Sequence, residues 1–311
     1  MKPNPAVDLN GLRFPHPVLA ASGCLATGHD VPALVELHKL GGVVTRSLTF
    51  GASKGWPTPR SAETSSGLLS AVGLQNPGVL DFIDRDLPRL AKVGVPVVAS
   101  VAGSSLGEYV DVTSAMHLKH GVVAIEVCLS SADDEREGDP FYASPERLVE
   151  IVGAVARMAR VPVFAKLPPL LPGLVEVAQQ CVRAGAFGFT LVDAIPALAV
   201  DASRLRTRTA TPVGGLSGPA VKPIALAAVY QCYRATGLPI VGMGGIATGR
   251  DALEFLAAGA SSIALGTVLF SDPDAPGRVR RELAHELEER GLSAAEDATG
   301  LAHGSRPATV A

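Results

Sequence analysis

Residues 183–192 of the chain read RAGAFGFTLV, and residues 257–266 read AAGASSIALG, a near copy of the same phrase. Each phrase starts as the end of a helical segment, continues through a glycine and becomes a short apolar run typical of a strand. Glycine suits this junction because helices commonly end with one residue in the left-handed conformation. The repeated phrase therefore indicates a unit in which a helix leads into a buried strand.

Apolar runs of this kind recur along the whole chain, and longer stretches with helical spacing separate them. The eight runs are PVLAA (17–21), GGVVT (41–45), VPVVAS (95–100), VVAIEV (122–127), VPVFAK (161–166), FGFTLV (187–192), PIVGM (239–243) and SSIALG (261–266). Such strands, alternating with helices, are typical of a parallel sheet covered on both faces. An open doubly wound sheet shares this pattern, but eight units in 311 residues favour a closed (β/α)8 TIM barrel of the α/β class. Because no linker-like tract divides the chain, residues 1–311 are interpreted as a single domain.

Three segments lie outside these repeated units. The opening VDLNGLRFPHP is predicted to form a hairpin with Asn-Gly as its turn, closing the floor of the barrel. Residues 46–78 and 128–145 are predicted as long insertions after the second and fourth strands. TIM barrels hold their active sites on the loops at the carboxyl ends of the strands, so both insertions are predicted to be active-site loops.

Composition and charge exclude several classes of protein. The net charge is −3 and there is no long basic run, which argues against a nucleic-acid or membrane-surface role. The four cysteines are far apart and form no CxxC pair, so no metal or iron–sulfur site is predicted within the chain. Neither a signal peptide nor an apolar run of membrane-spanning length is visible. These features predict a cytoplasmic protein with reduced thiols.

Three glycine clusters occur at or after the late strands: GGLSG (214–218), GMGGI (242–246) and ALGT (264–267). Glycines let backbone N–H groups approach an anion closely, and a following helix adds the positive end of its dipole. The clusters therefore predict a phosphate-binding site, which a phosphorylated sugar would also fit.

Lys166 ends the fifth strand and is predicted to point into the mouth of the barrel. A solvated or salt-bridged lysine is one interpretation. The other is a functional cation, which in this place could stabilise an anionic reduced cofactor ring.

The most distinctive stretch is WPTPRSAETSSGLLSAVGLQNPG (56–78). With PTPR, AET, SG and GLQNPG in this order, it resembles the dihydroorotate dehydrogenases, specifically the class 1 group and its heterotetrameric branch. The resemblance continues over nearly the whole chain, in AASG (20–23), SVAGSS (100–105), AIE (124–126), FAKLPP (164–169), GGLSGPAVKPIAL (214–226), GMGGI (242–246), GAS (259–261), LGT (265–267) and GLAH (300–303).

The resemblance implies a TIM barrel with FMN at the carboxyl ends of its strands. The residues that it implies near the flavin are Ala21, Ser22, Gly23, Arg46, Ser100, Lys166, Val192, Gly218, Gly244, Gly245, Gly266 and Thr267. It favours FMN over a sugar phosphate as the ligand of the glycine clusters.

The window EVCLSSADD (126–134) departs from the family pattern Asn-x-Ser-Cys-Pro-Asn. The position of the family's catalytic base is Ser131, which the resemblance implies takes a proton from the substrate while hydride moves to the flavin. Serine is a poor base on its own, so a neighbour such as Asp133 is expected to accept its proton. With Lys166, these are the predicted catalytic residues. Cys128 aligns with an asparagine and is interpreted as a packing residue rather than a nucleophile.

The substrate positions also depart from the family. Where the resemblance implies asparagines, the chain has Ser70, Cys128, Asp133 and Asp193, and a family lysine appears as Arg46. An ionised aspartate accepts hydrogen bonds and cannot donate them, so it repels an anionic substrate. The sequence therefore predicts an FMN-dependent enzyme that transfers hydride between flavin N5 and a CH–CH or C=C bond of a pyrimidine-like or amine-bearing molecule other than orotate.

Three alternatives remain open at this point. The chain is a genuine dihydroorotate dehydrogenase with an unusual site, a non-catalytic flavoprotein subunit, or a flavin-free phosphate-binding barrel. The resemblance also implies partners: a small-molecule substrate, a second copy of the chain in a homodimer, and a separate iron–sulfur and FAD subunit for electron transfer.

Overall fold

The computed structural model describes residues 3–25, 36–130, 139–169 and 172–304. The strands are β1 (Val7–Leu9), β2 (Leu12–Phe14), β3 (Val18–Ala20), β4 (Gly42–Val44), β5 (Ser61–Thr64), β6 (Gly67–Ser70), β7 (Val97–Val101), β8 (Val122–Cys128), β9 (Val163–Leu167), β10 (Gly188–Leu191), β11 (Ile195–Leu198), β12 (Val200–Asp201), β13 (Arg206–Thr207), β14 (Val213–Ser217), β15 (Ile240–Met243) and β16 (Ser262–Leu265). The α-helices are α1 (Val79–Asp81), α2 (Leu87–Val93), α3 (Leu106–Met116), α4 (Pro145–Met158), α5 (Leu174–Ala184), α6 (Lys222–Thr236), α7 (Gly249–Ala258), α8 (Val268–Ser271), α9 (Ala275–Glu289) and α10 (Ala295–Ala298), and a π-helical turn (Phe82–Asp86) joins α1 to α2.

Eight strands form a closed parallel barrel in the order β3-β4-β7-β8-β9-β10-β15-β16. Neighbours in the barrel follow one another along the chain, and β16 pairs with β3 to close it, Ile263 opposite Val18. Each of the eight predicted apolar runs overlaps one of these strands, and β7, β8 and β9 each extend one residue beyond their run. The predicted (β/α)8 barrel is therefore confirmed, because strands buried on both faces leave the continuous apolar runs that the sequence displays.

Helices α4 to α7 separate the later strands of the barrel, and their apolar faces pack against the outside of the barrel. Helix α5, for example, buries Leu174, Val177 and Cys181. Gly185 and Gly259, the glycines of the repeated phrase, have φ values of 103° and 119° and end α5 and α7. Both therefore adopt the left-handed conformation that the sequence predicts, which an L-amino acid with a side chain rarely adopts.

The hairpin β1–β2 fills the amino-terminal end of the barrel. Its turn residues Asn10 and Gly11 have φ values of 52° and 97°, as an Asn-Gly hairpin turn requires. The side chains that point inward from the hairpin belong to the same apolar cluster as the inward side chains of the barrel strands: Val7, Leu9, Leu12 and Phe14 with Leu19, Val44, Val98, Ala124, Phe164, Val241, Met243 and Ala264. The predicted floor is confirmed.

Above the other end of the barrel lies a four-stranded sheet in the order β11-β14-β6-β5, which the sequence analysis missed. The predicted insertion 46–78 contributes β5 and β6, whereas β11 and β14 come from a second insertion, after β10. The first four residues of the cluster GGLSG belong to β14, and Gly218 follows the end of the strand. Its glycines pack closely, since a Cβ on Gly215 would lie 2.6 Å from the Ala194 Cβ. Of the other predicted insertion, 128–145, residues 131–138 lie outside the described residues.

Within the described part of the chain, no helix is both long enough and apolar enough to cross a membrane.

Candidate active site

A cavity of about 780 Å³ opens at the carboxyl ends of the barrel strands. Most of the predicted site residues line it: Ala21, Ser22, Gly23, Arg46, Ser70, Cys128, Lys166, Val192, Asp193, Gly218, Gly244, Gly245, Gly266 and Thr267. They come from both halves of the chain, because parallel strands bring their carboxyl ends to one rim. The volume lies within the roughly 300–1,000 Å³ of ligand pockets.

Three predicted site residues lie elsewhere or cannot be placed. Ser100 is fully buried beneath the cavity, where its hydroxyl bonds to other side chains, and it does not line the cavity. Ser131 and Asp133, the predicted base and its helper, lie outside the described residues. Their roles stay predictions.

The charged centre of the cavity is Lys166, which lies between two carboxylates. Its Nζ is 3.2 Å from Asp193 Oδ1 and 4.0 Å from Glu126 Oε1. Asp193 Oδ1 also accepts a hydrogen bond from the Ala194 backbone N–H at 2.9 Å, and the Ser130 hydroxyl donates to Asp193 Oδ2. Asp193 therefore makes the closer ion pair with Lys166.

The pKa shifts agree with this assignment. Burial alone would raise the pKa of Asp193, but the Lys166 charge and the hydrogen bonds from Ser130 and Ala194 lower it below its ordinary value. Burial alone would lower the pKa of Lys166, but the two carboxylates raise it. Burial raises the pKa of Glu126, and the Lys166 charge does not reverse that shift. Lys166 and Asp193 thus form an ionised pair, while Glu126 holds a proton more readily than an ordinary glutamate.

Glu126 is a site residue that the sequence analysis did not assign. Only 1% of its surface is exposed, its Oε1 accepts a hydrogen bond from the Ser100 hydroxyl at 3.1 Å, and a hydrogen bond with the Thr190 side chain also opposes the rise in its pKa. The Ser47 hydroxyl, 3.0 Å from that of Ser100, continues the polar chain to the wall of the cavity. The signal in the sequence was a charged residue inside the apolar run VVAIEV, which a buried strand tolerates only with polar neighbours.

The two cysteines that line the cavity are not activated thiols. Burial raises the pKa of Cys24 to about 11 and raises that of Cys128 as well. A thiol with a raised pKa carries little thiolate at neutral pH. This supports the interpretation of Cys128 as a packing residue.

The glycine-rich side of the cavity fits a phosphate-bearing cofactor. Gly218, Gly244 and Gly245 have φ values of 94°, 118° and 78°, and a Cβ on Gly245 would lie 2.9 Å from the Gly218 carbonyl oxygen. A Cβ on Gly266, in contrast, would have no neighbour closer than 3.8 Å and would occupy the cavity itself. The bare backbone at this rim leaves space for a ligand that a side chain would fill, as the FMN implied by the resemblance requires.

Polar side chains complete this side of the cavity. The Thr267 hydroxyl donates a hydrogen bond to Ser217 Oγ at 2.8 Å, which joins the start of α8 to the end of β14. Among the described residues, no group of three or more histidine, cysteine, aspartate or glutamate side chains is arranged to hold a metal ion.

Comparison with known proteins yields one family over nearly the whole chain. The family described as dihydroorotate dehydrogenase matches residues 5–287. The catalytic subunit of dihydroorotate dehydrogenase B (NAD+) from Halalkalibacterium halodurans is 40% identical over 295 residues, which cover 95% of this chain and 97% of that protein. The protein of the same name from Desulforudis audaxviator is 39% identical over 303 residues, 97% of this chain and 99% of its own. A protein from Solibacter usitatus, provisionally named dihydroorotate dehydrogenase A (fumarate), is 41% identical over 300 residues, covering 96% of this chain and 99% of that protein.

Proposed function

The chain belongs to the dihydroorotate dehydrogenase family, and from that premise we propose that it oxidises dihydroorotate to orotate with bound FMN as the hydride acceptor. Members of this family are oxidoreductases that act on CH–CH groups and bind FMN as their catalytic cofactor. When bound, FMN accepts a hydride from a saturated carbon. The glycine-rich side of the cavity, with Gly244, Gly245, Gly266 and Thr267, would hold it.

The observation that carries the proposal is the position of Lys166. Lys166 is the polar residue of β9, next to the end of the strand. It lines the same cavity as the glycine clusters. A fixed cation beside the ring stabilises the negative charge that the ring gains on reduction. Although burial alone would lower the pKa of Lys166, the carboxylates of Asp193, at 3.2 Å, and Glu126 raise it, so this cation stays charged over the working pH range.

The sequence predicted a substrate other than orotate, with a genuine dihydroorotate dehydrogenase as an alternative. The proposal made here adopts that alternative. Relatives with about 40% identity over nearly the whole chain are named for dihydroorotate, and none of the names given above points to another substrate. Dihydroorotate has ring N–H groups, and Asp193 is a hydrogen-bond acceptor that such a group can satisfy.

A second candidate substrate, a dihydropyrimidine without a carboxylate, is favoured by one specific observation. Asp193 makes a direct ion pair with Lys166 and so uses the positive charge that an anionic substrate would otherwise meet. Placing another carboxylate beside an ionised Asp193 costs free energy unless a cation such as Arg46, which lines the same cavity, neutralises it. Dihydrouracil represents this class.

The electron acceptor is proposed from the relatives. Two of them are named as catalytic subunits that use NAD+, a name that implies a further subunit, whereas the third name specifies fumarate. A separate electron-transfer subunit is therefore the proposed partner of this chain. Turnover with NAD+ only after addition of such a subunit, and none with fumarate, is the expected result.

The test of the proposed function is an anaerobic titration. The purified full chain is checked for FMN by its absorbance, and dihydroorotate or dihydrouracil is then added while flavin bleaching is followed. Bleaching by dihydroorotate supports the proposed substrate, and bleaching by dihydrouracil alone supports the second candidate. A flavin that only dithionite reduces contradicts both.

A further inference from the structure

A line of hydroxyl groups leads from the cavity wall to the buried carboxylate of Glu126. Ser47 lines the cavity, and its hydroxyl lies 3.0 Å from that of Ser100 on β7. The Ser100 hydroxyl in turn donates a hydrogen bond to Glu126 Oε1 at 3.1 Å. Because a hydroxyl carries one hydrogen, Ser100 accepts from Ser47 while it donates to Glu126. The hydrogens of this line are thus directed from the cavity towards the carboxylate.

Glu126 is the less firmly held of the two carboxylates beside Lys166. Its Oε1 is 4.0 Å from Lys166 Nζ, whereas Asp193 Oδ1 is at 3.2 Å. Asp193 also accepts hydrogen bonds from the Ala194 N–H and the Ser130 hydroxyl. Since the pair of Lys166 and Asp193 is neutral as a whole, an ionised Glu126 adds a net negative charge in a buried place. Burial accordingly raises the pKa of Glu126, so this carboxylate is the one that can change its protonation state.

Reduction of a bound flavin changes the charge on the other side of Lys166. Lys166 lines the cavity, and Glu126 lies behind it with only 1% of its surface exposed. A flavin that has accepted a hydride gains negative charge, so an ionised Glu126 would then be a further negative charge around one cation. A like charge nearby favours the protonated form of a carboxyl group. A proton on Glu126 removes this repulsion and leaves the charge of Lys166 to Asp193 and the flavin.

We propose that Glu126 is a positioning residue that takes up one proton from solvent when the flavin is reduced and releases it when the flavin is reoxidised. This inference rests on the proposed function, because it needs bound FMN. In the step, a solvent acid such as hydronium gives a proton to Ser47 Oγ, the Ser47 hydrogen moves to Ser100 Oγ, and the Ser100 hydrogen moves to Glu126 Oε1. Each serine forms one O–H bond and loses one. The two electrons pass from the substrate to the flavin, and reoxidation by the electron acceptor reverses the proton movement.

The groups that face Glu126 determine which of them titrates. The titratable ones are Lys166 on β9 and Asp193 after β10, while β7 and β10 contribute the hydroxyls of Ser100 and Thr190. The carboxylates raise the pKa of Lys166, and the lysine with its neighbouring donors lowers that of Asp193. Both therefore stay charged at neutral pH. Because Glu126 does not line the cavity, its proton comes from solvent and not from the substrate.

The proton uptake has a definite sign and size. At low pH Glu126 is protonated with either form of the flavin, and at high pH it is ionised with both. Between these limits reduction binds one additional proton, so the reduction potential falls more steeply as pH rises. For one proton and two electrons, the additional slope is about 30 mV per pH unit.

The experiment measures the midpoint potential of the bound flavin against pH, by anaerobic titration with dithionite and a reference dye. The range is about pH 5 to 9, which covers the pKa values of buried glutamates. The variants are Glu126→Gln and Ser100→Ala, and the matched control is Glu289→Gln, on α9, whose side chain is 55% exposed. Reduced-minus-oxidised infrared spectra record the C=O band of a protonated carboxyl group in each protein. No substrate is added, so the result does not depend on which dihydropyrimidine is oxidised.

We expect the wild type and Glu289→Gln to show the steeper segment and to gain a carboxyl C=O band on reduction. Glu126→Gln should lose both. Its potential should match the wild type at low pH and exceed it at high pH, because glutamine resembles a protonated glutamate. Ser100→Ala should move the steeper segment to higher pH, because loss of a donor to the ionised carboxylate raises its pKa. A purely structural role of Glu126 would shift the potential equally at every pH.

Other outcomes overturn the inference. Parallel curves for the wild type and Glu126→Gln at every pH contradict it, while bleaching by dihydroorotate would still support the proposed function. If Glu126→Gln does not bind FMN, the wild-type infrared spectra decide. A carboxyl band that appears on reduction and moves along the pH axis in Ser100→Ala supports the inference, and the lack of such a band contradicts it. A full chain that binds no FMN contradicts the proposed function and the inference together.

Discussion

The two ends of the barrel are built from the same eight strands, yet they are filled with opposite kinds of side chain. At the amino-terminal floor, the hairpin β1–β2 inserts Leu9 and Phe14 among apolar side chains. At the carboxyl-terminal rim, Lys166, Asp193 and bare glycine backbone surround an open cavity. The difference shows that one set of strands can supply stability at one end and reactivity at the other. The inward side chains of a barrel are stacked in layers along its axis, and each side chain packs only with those of its own layer.

The largest change expected at the floor is in stability. Phe14 is 2% exposed, and Phe14→Ala leaves a cavity among the inward-facing side chains. The free energy of unfolding should fall by about 3–5 kcal/mol in denaturant titrations. Because Phe14 lies at the floor, the rate of flavin reduction in this variant should equal that of the wild type at denaturant concentrations below the unfolding midpoint.

A control from the rim sharpens this first prediction. Phe270 is 60% exposed, so Phe270→Ala should change the unfolding free energy far less than the same substitution at Phe14. Equal losses in the two variants would contradict the division between a structural floor and a functional rim.

The largest change expected at the rim is in chemistry. Lys166→Met removes the cation between Asp193 and Glu126, so the rate constant for flavin reduction should fall roughly 10²–10³-fold. It also leaves Asp193 ionised without its partner, which lowers stability. The double variant Lys166→Met with Asp193→Asn should regain that stability but not the rate. Recovery of both would mean that Lys166 acts only as the partner of Asp193.

A pH effect is expected at the floor, from His16. It is 3% exposed, and burial, followed by the Arg280 charge, lowers its pKa to about 4 against the smaller opposing effect of a backbone hydrogen bond with Lys39. Between pH 6.5 and 4 the unfolded chain binds more protons at this residue than the folded one, so stability rises with pH there. The contribution is fully present above pH 6.5, and about 2 kcal/mol of it should be lost between pH 7 and pH 5.

Denaturant titrations at those two pH values test this effect. His16→Gln should reduce the loss, whereas His285→Gln, at an exposed position on α9, should leave it as in the wild type. An unchanged loss in His16→Gln would assign the pH dependence to other groups.

The smallest expected effect is on cofactor affinity. An alanine at Gly245 must adopt a φ of 78° and approach the Gly218 carbonyl oxygen, so Gly245→Ala should weaken FMN binding by about tenfold. The matched control is Gly291→Ala, where φ is 68° and a Cβ would have no neighbour within 4 Å. Both variants bear a similar backbone cost, but only the first should change FMN affinity in a fluorescence titration.

The sequence predicted the parts of the molecule that depend on local pattern. The eight strands, the Asn10-Gly11 hairpin and the left-handed residues Gly185 and Gly259 follow from apolar runs and turn residues that any segment displays by itself. The resemblance to a family then predicted which residues meet at the rim. Of these, all but Ser100, Ser131 and Asp133 line one cavity.

The parts of the structure that the sequence did not predict depend on contacts between segments that are far apart in the chain. Strand β14 contains Gly214 and Gly215, which have low β-propensity, and only pairing with β6 and β11 makes it a strand. The pairing of Ser130 with Asp193 likewise depends on the spacing of β8 and β10 around Lys166, which no local pattern contains. Glu126 was visible as a charge in an apolar strand, but its partner Ser100 comes from β7.

The sheet that joins β6 to β14 also has a consequence for the order of folding steps. The Ser217 hydroxyl donates to the Leu68 carbonyl across a sequence separation of 149 residues, and this sheet forms one wall of the cavity. Contacts between residues so far apart in sequence close large loops and therefore form slowly, whereas neighbouring strands of the barrel can pair early. During refolding, the barrel should acquire its secondary structure before it can bind flavin, and cofactor capture should report the last step of assembly.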